Sequence, residues 1–296
     1  MRTWSLSSSG GTSSDPQPVD VTPVCQASQL SELADMSTHQ NRRVVRSGDL
    51  SDLRCLPPDT GGKHTAHVLG ETDTPYGFYI YLPGGYEEGS GRYPVLVFLH
   101  GAGECGNSAE DAEALELVLI HGPPYLIHSA KWAPTYPMLV VSPQTPDEYW
   151  QTGKIDGFIH CVVKNYRANG SRVYLTGLSM GADGVFTYLS ETGDRSLVAA
   201  AVAICGEGSA AEARKARTPI WIFHGEQDDV VPLQTAVAMR AGFTNAPEAR
   251  LTVYPDVDHG SWYQTYDLSG IGHGSEQYDP YDIGIYDWML TYSLSD

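Results

Sequence analysis

The chain has 296 residues, with 36 acidic against 18 basic side chains and a formal net charge of −18. That length allows one large α/β domain with a sizeable core. Such acidity excludes nucleic acid and anionic membrane surfaces as partners, and no run of about 18 apolar residues is present to span a bilayer.

The opening MRTWSLSSSGG lacks a basic start followed by an apolar core, so it does not read as a signal peptide. The continuation SSSGGTSSDPQPVDVTP has the composition of a flexible tether. Tethers of this kind follow export signals, and a trimmed secreted or lipid-anchored protein is the expectation. Residues 1–60 read as a disordered or loosely structured leader, with a short helix at Ala27–Met36, and 61–296 as the folded domain. Cys25 and Cys55 bracket part of the leader, and a bridge between them would add about 3 to 4 kcal/mol in the chain-entropy model. The alternative is that all five cysteines (with Cys105, Cys161 and Cys205) are thiols. No C-x-x-C or Cys/His cluster points to zinc, and no glycine-rich phosphate loop is visible, so neither metal nor cofactor is expected.

From residue 76 onward strand and helix signals alternate. Gly77–Pro83 alternates between turns and reads as a strand. Pro94–His100 and Met138–Pro143 are continuous apolar runs, the pattern of strands covered on both faces. Helices are expected at Ala109–Ile120, Ile155–Tyr166, Leu233–Ala241 and Ile283–Leu294, and further strands at Ala199–Cys205, Pro219–His224 and Arg250–Tyr254. Alternation of this sort implies a mostly parallel central sheet with helices on both faces. Functional residues then collect at the carboxyl ends of the strands.

Three strand ends carry chemistry. The stretch RVYLTGLSMGADG (172–184) reads as strand, sharp turn and helix around Gly177-Leu178-Ser179-Met180-Gly181, a G-x-S-x-G elbow. A serine hydroxyl needs a base to take its proton, and the base needs a carboxylate to fix its tautomer. Asp228 follows the strand PIWIF, with Asp229 and Glu226 as rivals. His259 follows the strand RLTVYP, with His224, His273 and His100 as rivals. The second oxyanion donor beside Met180 N–H is expected from the loop after His100-Gly101, at Ala102, with Gly103 as the alternative.

Taken together, LHGAGE, GPPYLI, VVSPQ, RVYLTGLSMGADG, PIWIFHGEQDDVVP and LTVYPDVDHGSW, closed by IYDWML, resemble the predicted-peptidase and esterase branch of the α/β-hydrolase superfamily. That branch is similar to polyhydroxybutyrate depolymerases and to feruloyl and acetylxylan esterases. The resemblance covers about residues 76–296. It implies the α/β-hydrolase fold, with Ser179, Asp228 and His259 as nucleophile, acid and base, and Ala102 and Met180 at the oxyanion hole. Two departures stand out: Cys105 where an arginine is expected, and a long Gly- and Tyr-rich segment from Asp267 to Tyr281, both flanking the cleft.

Aromatic residues crowd the expected rim: Tyr149, Trp150, Trp262, Tyr263, Tyr266, Tyr278 and Tyr281. Trp150 and Trp262 are the expected walls for a planar or sugar-bearing ester, the other possibility being that these rings are core. The expected activity is hydrolysis of short-chain, aryl, polysaccharide-linked or polyester carboxylic esters, falling below about pH 6 to 7 as His259 gains a proton. The alternatives are a serine peptidase of the prolyl-oligopeptidase-like group and a non-catalytic carbohydrate-binding protein on the same scaffold.

Overall fold

The computed structural model describes residues 42–295. The helix expected at Ala27–Met36 and the cysteine at position 25 lie outside the described residues. In chain order the elements are β1 (Val44–Arg46), α1 (Ser51–Arg54), β2 (Lys63–His67), β3 (Gly77–Leu82), β4 (Tyr93–Leu99), α2 (Gly122–His128), β5 (Leu139–Gln144), α3 (Thr152–Asn165), β6 (Ala168–Leu178), α4 (Met180–Thr192), β7 (Ala200–Ile204), α5 (Ala210–Ala213), β8 (Ile220–Gly225), α6 (Leu233–Gly242), β9 (Ala249–Tyr254), α7 (Trp262–Tyr266), α8 (Ile285–Leu290) and β10 (Tyr292–Leu294).

An eight-stranded sheet runs in the order β2-β3-β5-β4-β6-β7-β8-β9. From β5 to β9 all pairs are parallel, while β2 and β3 form an antiparallel edge. The central strands are buried along their whole length, as in YPVLVFL of β4 and AAVAI of β7, because helices cover both faces of a parallel sheet. The expected strands fall within one or two residues of these bounds; β2, short and with two histidines, was not anticipated.

Three expectations need correction. The helix read over 109–120 is a 3₁₀ segment at Ala112–Leu119, opened by the Asp111 side chain accepting from Glu113 N–H. The last helix stops at Leu290, because residues 292–294 are claimed by β1: Val44 pairs with Leu294 and Arg46 with Tyr292 in an antiparallel ribbon. Thr291 and Tyr292, β-branched and aromatic, suit that extended ending.

Third, part of the stretch read as leader is built into the fold. Leu53 is buried in the core, and Arg172 at 5% exposure donates to both carboxylate oxygens of Asp52 (2.7 and 3.0 Å) and to the carbonyl oxygens of Leu290 and Asp49. One guanidinium thereby joins α1, β6 and the end of α8, and its planar fork suits several acceptors at once.

The 267–281 segment runs along the free edge of β9. Asp279 N–H donates to Leu251 O, Leu251 N–H to Asp279 Oδ2, and Ser275 N–H to Val253 O. An edge strand's unpaired backbone groups are thus satisfied by a loop. Tyr281, 1% exposed, closes the edge from above, its hydroxyl donating to Thr265 O at 2.9 Å. The insertion is therefore an edge cover rather than a wall of the cleft along 275–281. Among the described residues no helix is long and apolar enough to cross a membrane.

Candidate active site

Ser179 stands between β6 and α4 with φ 50° and ψ −125°, a left-handed backbone conformation that costs a side-chain-bearing residue about 1 to 3 kcal/mol. Two glycines make the turn feasible. A Cβ on Gly177 would lie 2.3 Å from Gly181 O, and one on Gly181 would lie 2.0 Å from Leu99 O. The strain is held by neighbours: Ser179 N–H donates to Ile204 O at 2.9 Å, and Ser179 O accepts from Ala182 and Asp183.

The structure brings the three expected residues into line. His259 Nε2 is 3.0 Å from Ser179 Oγ, and His259 Nδ1 is 2.8 Å from Asp228 Oδ2. With a carboxylate on the Nδ1 side the ring proton belongs there, which leaves Nε2 to accept from the serine hydroxyl. The other carboxylate oxygen of Asp228 accepts from Val230 N–H and Val231 N–H, both at 2.9 Å, so the acid is fixed in orientation.

The rivals have other employment. His224, fully buried, bonds Val231 O through Nε2 at 2.8 Å, and burial lowers its pKa, so it braces the acid's loop as a neutral ring. His100 is equally buried: Nδ1–H donates to Gly101 O at 2.7 Å and Nε2 accepts from Thr145 N–H at 3.1 Å, with burial pulling the pKa down to about 4. Asp229 and Glu226 are exposed, and His273 lies in the loop beyond α7.

Met180 is the first residue of α4, and Ala102 opens a 3₁₀ turn (Ala102–Glu104) directly after β4. N–H groups in such first turns have no partner within their own helix, so both are available to an anion. Glu104, the last residue of that turn, is 4% exposed, 3.5 Å from His121 Nε2 and 3.9 Å from His100 Nδ1; burial raises its carboxyl pKa.

Of the two tryptophans, Trp262 stands beside the triad and Trp150 does not. Trp262 is half-buried, its ring edge-on to His259 at 5.5 Å and against His121 at 5.2 Å. It borders a small cavity of about 60 Å³ with Gly122, Tyr125, Lys131 and Tyr263. Trp150 is 4% exposed, donates from Nε1 to His100 O at 3.1 Å and packs on Tyr76 and His100. The expectation that it walls the cleft is corrected: it wedges β4 against α4, where a Cβ on Gly184 would touch it at 2.7 Å. Tyr149 and Tyr263 are exposed, whereas Tyr266 and Tyr281 are core.

Sequence reasoning missed Cys205. It directly follows β7 with φ 48°, is fully buried, and its sulfur, Asp228 and His259 present ligand-type atoms within 4.8 Å of one another. Burial pushes its thiol pKa far up, so it is a neutral packing group under the triad. Cys105, with its Sγ–H donating to Asp147 O at 3.2 Å, holds the loop after β4 to that after β5.

Comparison with known proteins agrees with this architecture. Residues 147–276 match the model of the Dienelactone hydrolase family. A bifunctional acetylxylan esterase/xylanase of Neocallimastix patriciarum is 30% identical over 47% of this chain and 23% of its own length. Acetylxylan esterase A of Emericella nidulans is 26% identical over 50% of this chain and 48% of its own. The chain thus matches about a quarter to a half of the length of these curated relatives. A solved thermostable esterase is 26% identical with a TM-score of 0.56, covering 78% of this chain and 63% of that one. The dipeptidyl peptidase 4 of Porphyromonas gingivalis, 14% identical with a TM-score of 0.50 over 70% of this chain and 34% of its own, shares the fold alone. The fold is that of the α/β hydrolases.

Proposed function

On the premise of an α/β-hydrolase fold, we propose that the chain is a serine hydrolase of carboxylic esters acting through an acyl-enzyme on Ser179. The observation that carries this reading is the unbroken line Ser179 Oγ, His259, Asp228 at 3.0 and 2.8 Å. In the first half-reaction Ser179 Oγ attacks the ester carbonyl carbon while its proton passes to His259 Nε2. Asp228 stabilises the imidazolium, and the oxyanion takes the Met180 and Ala102 N–H groups, each worth about 3 to 4 kcal/mol in reactions of this type. The imidazolium then protonates the departing alcohol. Water repeats the sequence on the acyl-enzyme, with His259 again as base.

The names of the two curated relatives, both acetylxylan esterases, support acetyl groups on a polysaccharide as the substrate class, and Trp262 at 5.5 Å from His259 supports an aromatic wall for the bound group. Feruloyl and polyester substrates belong to the same proposal. So does a secreted setting, which the Ser-, Thr-, Gly- and Pro-rich stretch and the acidic charge favour, with a catalytic unit that starts within the expected leader and runs to the end of β10.

A fluorophosphonate probe, followed by a panel of acetyl, feruloyl and aliphatic esters and matched amides, tests the reading. The expected result is stoichiometric labelling that Ser179→Ala abolishes, with ester turnover exceeding amide turnover. Absence of labelling in folded wild-type protein would refute it, and faster amide turnover would make the chain a peptidase.

A further inference from the structure

On the β7 side of Ser179 lies a pair of acids that the proton relay does not use. Asp183 sits in the first turn of α4, its N–H donating to Ser179 O at 3.1 Å. Its Oδ1 accepts the Glu207 N–H at 2.6 Å, and a Cβ on Gly206 would lie 2.8 Å from that same oxygen. The loop after β7 is therefore pressed onto the carboxylate, which is half-buried, while Glu207 is exposed beside it. The charged and titratable groups acting on Asp183 are Glu207 and His259, and burial raises its carboxyl pKa to about 6.

Among the described residues no lysine or arginine forms an ion pair with Asp183 or Glu207. Those seen in ion pairs join Asp52, Asp147, Glu212, Glu248, Asp279 and Asp282 instead. Lys131 lines the Trp262 cavity, where Asp267 also stands. Glu104 is buried at the end of the Ala102–Glu104 turn.

We infer that Asp183 and Glu207 set the charge selectivity of the site: it takes neutral and cationic esters and turns away esters bearing a carboxylate near the scissile bond. This rests on the serine-hydrolase reading above. Carboxylates at the edge of low-dielectric protein project their field onto the neighbouring serine, so an incoming anion is repelled at encounter and again as the oxyanion forms next to it. An esterase with this rim works on uncharged acyl groups and uncharged alcohols such as sugar hydroxyls. Because Asp183 gains its charge as pH rises through about 6, discrimination against anions grows across that range.

Four aryl acetates test this: phenyl acetate, the anionic meta-acetoxybenzoate, the cationic meta-(trimethylammonio)phenyl acetate and, as the neutral match in size for the last, meta-tert-butylphenyl acetate. In wild-type protein near pH 8 and about 0.01 M salt, kcat/KM for the neutral ester should exceed that for the anion by on the order of tenfold, shrinking toward parity at about 0.5 M salt. Asp183→Asn keeps an amide oxygen for the Glu207 N–H, and Glu207→Gln changes only an exposed side chain. Each should cut the neutral-to-anion ratio about threefold or more and flatten its salt dependence. A merely structural role would scale all four substrates together. Equal wild-type rates for anion and neutral ester, or a ratio unmoved in both variants, overturns the inference while leaving the hydrolase reading intact. If no acetate is turned over and Ser179→Ala behaves identically, the proposed function itself fails, and this inference with it.

Discussion

Replacing Asp228 by asparagine separates the two duties of that carboxylate. Oδ1 accepts two backbone N–H groups, from Val230 and Val231, while Oδ2 faces His259 Nδ1. An asparagine keeps its amide oxygen where the two N–H groups converge, which turns the NH₂ toward His259. That donor forces Nδ1 to accept and moves the ring proton to Nε2, against Ser179 Oγ, where it blocks the base. Loss of the correct tautomer costs about 10⁴ in kcat in triads of this kind, roughly 5.5 kcal/mol of barrier. Stability should stay within about 1 kcal/mol of wild type, because the loop keeps its acceptor. Asp228→Ala, in contrast, leaves both N–H groups without that acceptor in a site where the acid is 8% exposed, and should lose about 2 to 3 kcal/mol as well. Initial rates on an acetyl ester, paired with urea unfolding of both variants, read the two effects apart. If Asp228→Asn retains more than about a tenth of wild-type kcat, or melts like the alanine variant, the tautomer argument is wrong.

His100 predicts an acid-side loss of stability. Its folded pKa of about 4 lies below the unfolded value of 6.5, so the unfolded chain takes up the proton first. The contribution is whole above about pH 6.5 and drains away as pH falls toward 4, by up to about 3 kcal/mol. Urea midpoints measured across that range should fall more steeply for wild type than for His100→Gln, and parallel curves would contradict the assignment. Trp150→Ala should cost about 3 to 5 kcal/mol through a core cavity and a lost Nε1–H to His100 O bond, with KM unchanged, while Trp262→Ala should raise KM. Thermal unfolding with ester kinetics on both variants checks this; a KM effect at Trp150 without destabilisation would restore it to the cleft.

Much of the sheet and the core of the site were legible because their signals are local. Unbroken apolar runs mark β4, β5 and β7, and the glycines around Ser179 announce a turn whose geometry admits no Cβ. The order of serine, aspartate and histidine after β6, β8 and β9 then favours pairing them over their rivals. What escaped notice depends on contacts distant in sequence. The short β10 is a strand because β1 lies beside it, Val44 pairing with Leu294 and Arg46 with Tyr292 across nearly the whole described chain. Trp150 has the composition of a wall residue, but its place is decided by Gly184 and His100, which no window around position 150 contains. Cys205 likewise reaches the triad only through the neighbouring positions of β6, β7 and β8.

The ribbon of β1 and β10 has a bearing on how the molecule comes to be made. Its two strands pair in antiparallel register, and Tyr174 in β6 hydrogen-bonds Tyr292 O at 2.8 Å, so the ribbon is fastened to the middle of the sheet. During synthesis β1 leaves the ribosome long before β10, since nearly the whole described domain lies between them. The nascent polypeptide can therefore assemble its central strands first, and this clasp closes only once β10 has been made; at about 5 to 20 residues per second the interval is roughly ten seconds or more. Val44 to Arg46 spend that time as an unpartnered segment, and their companions in the clasp decide when the nascent molecule becomes resistant to proteases.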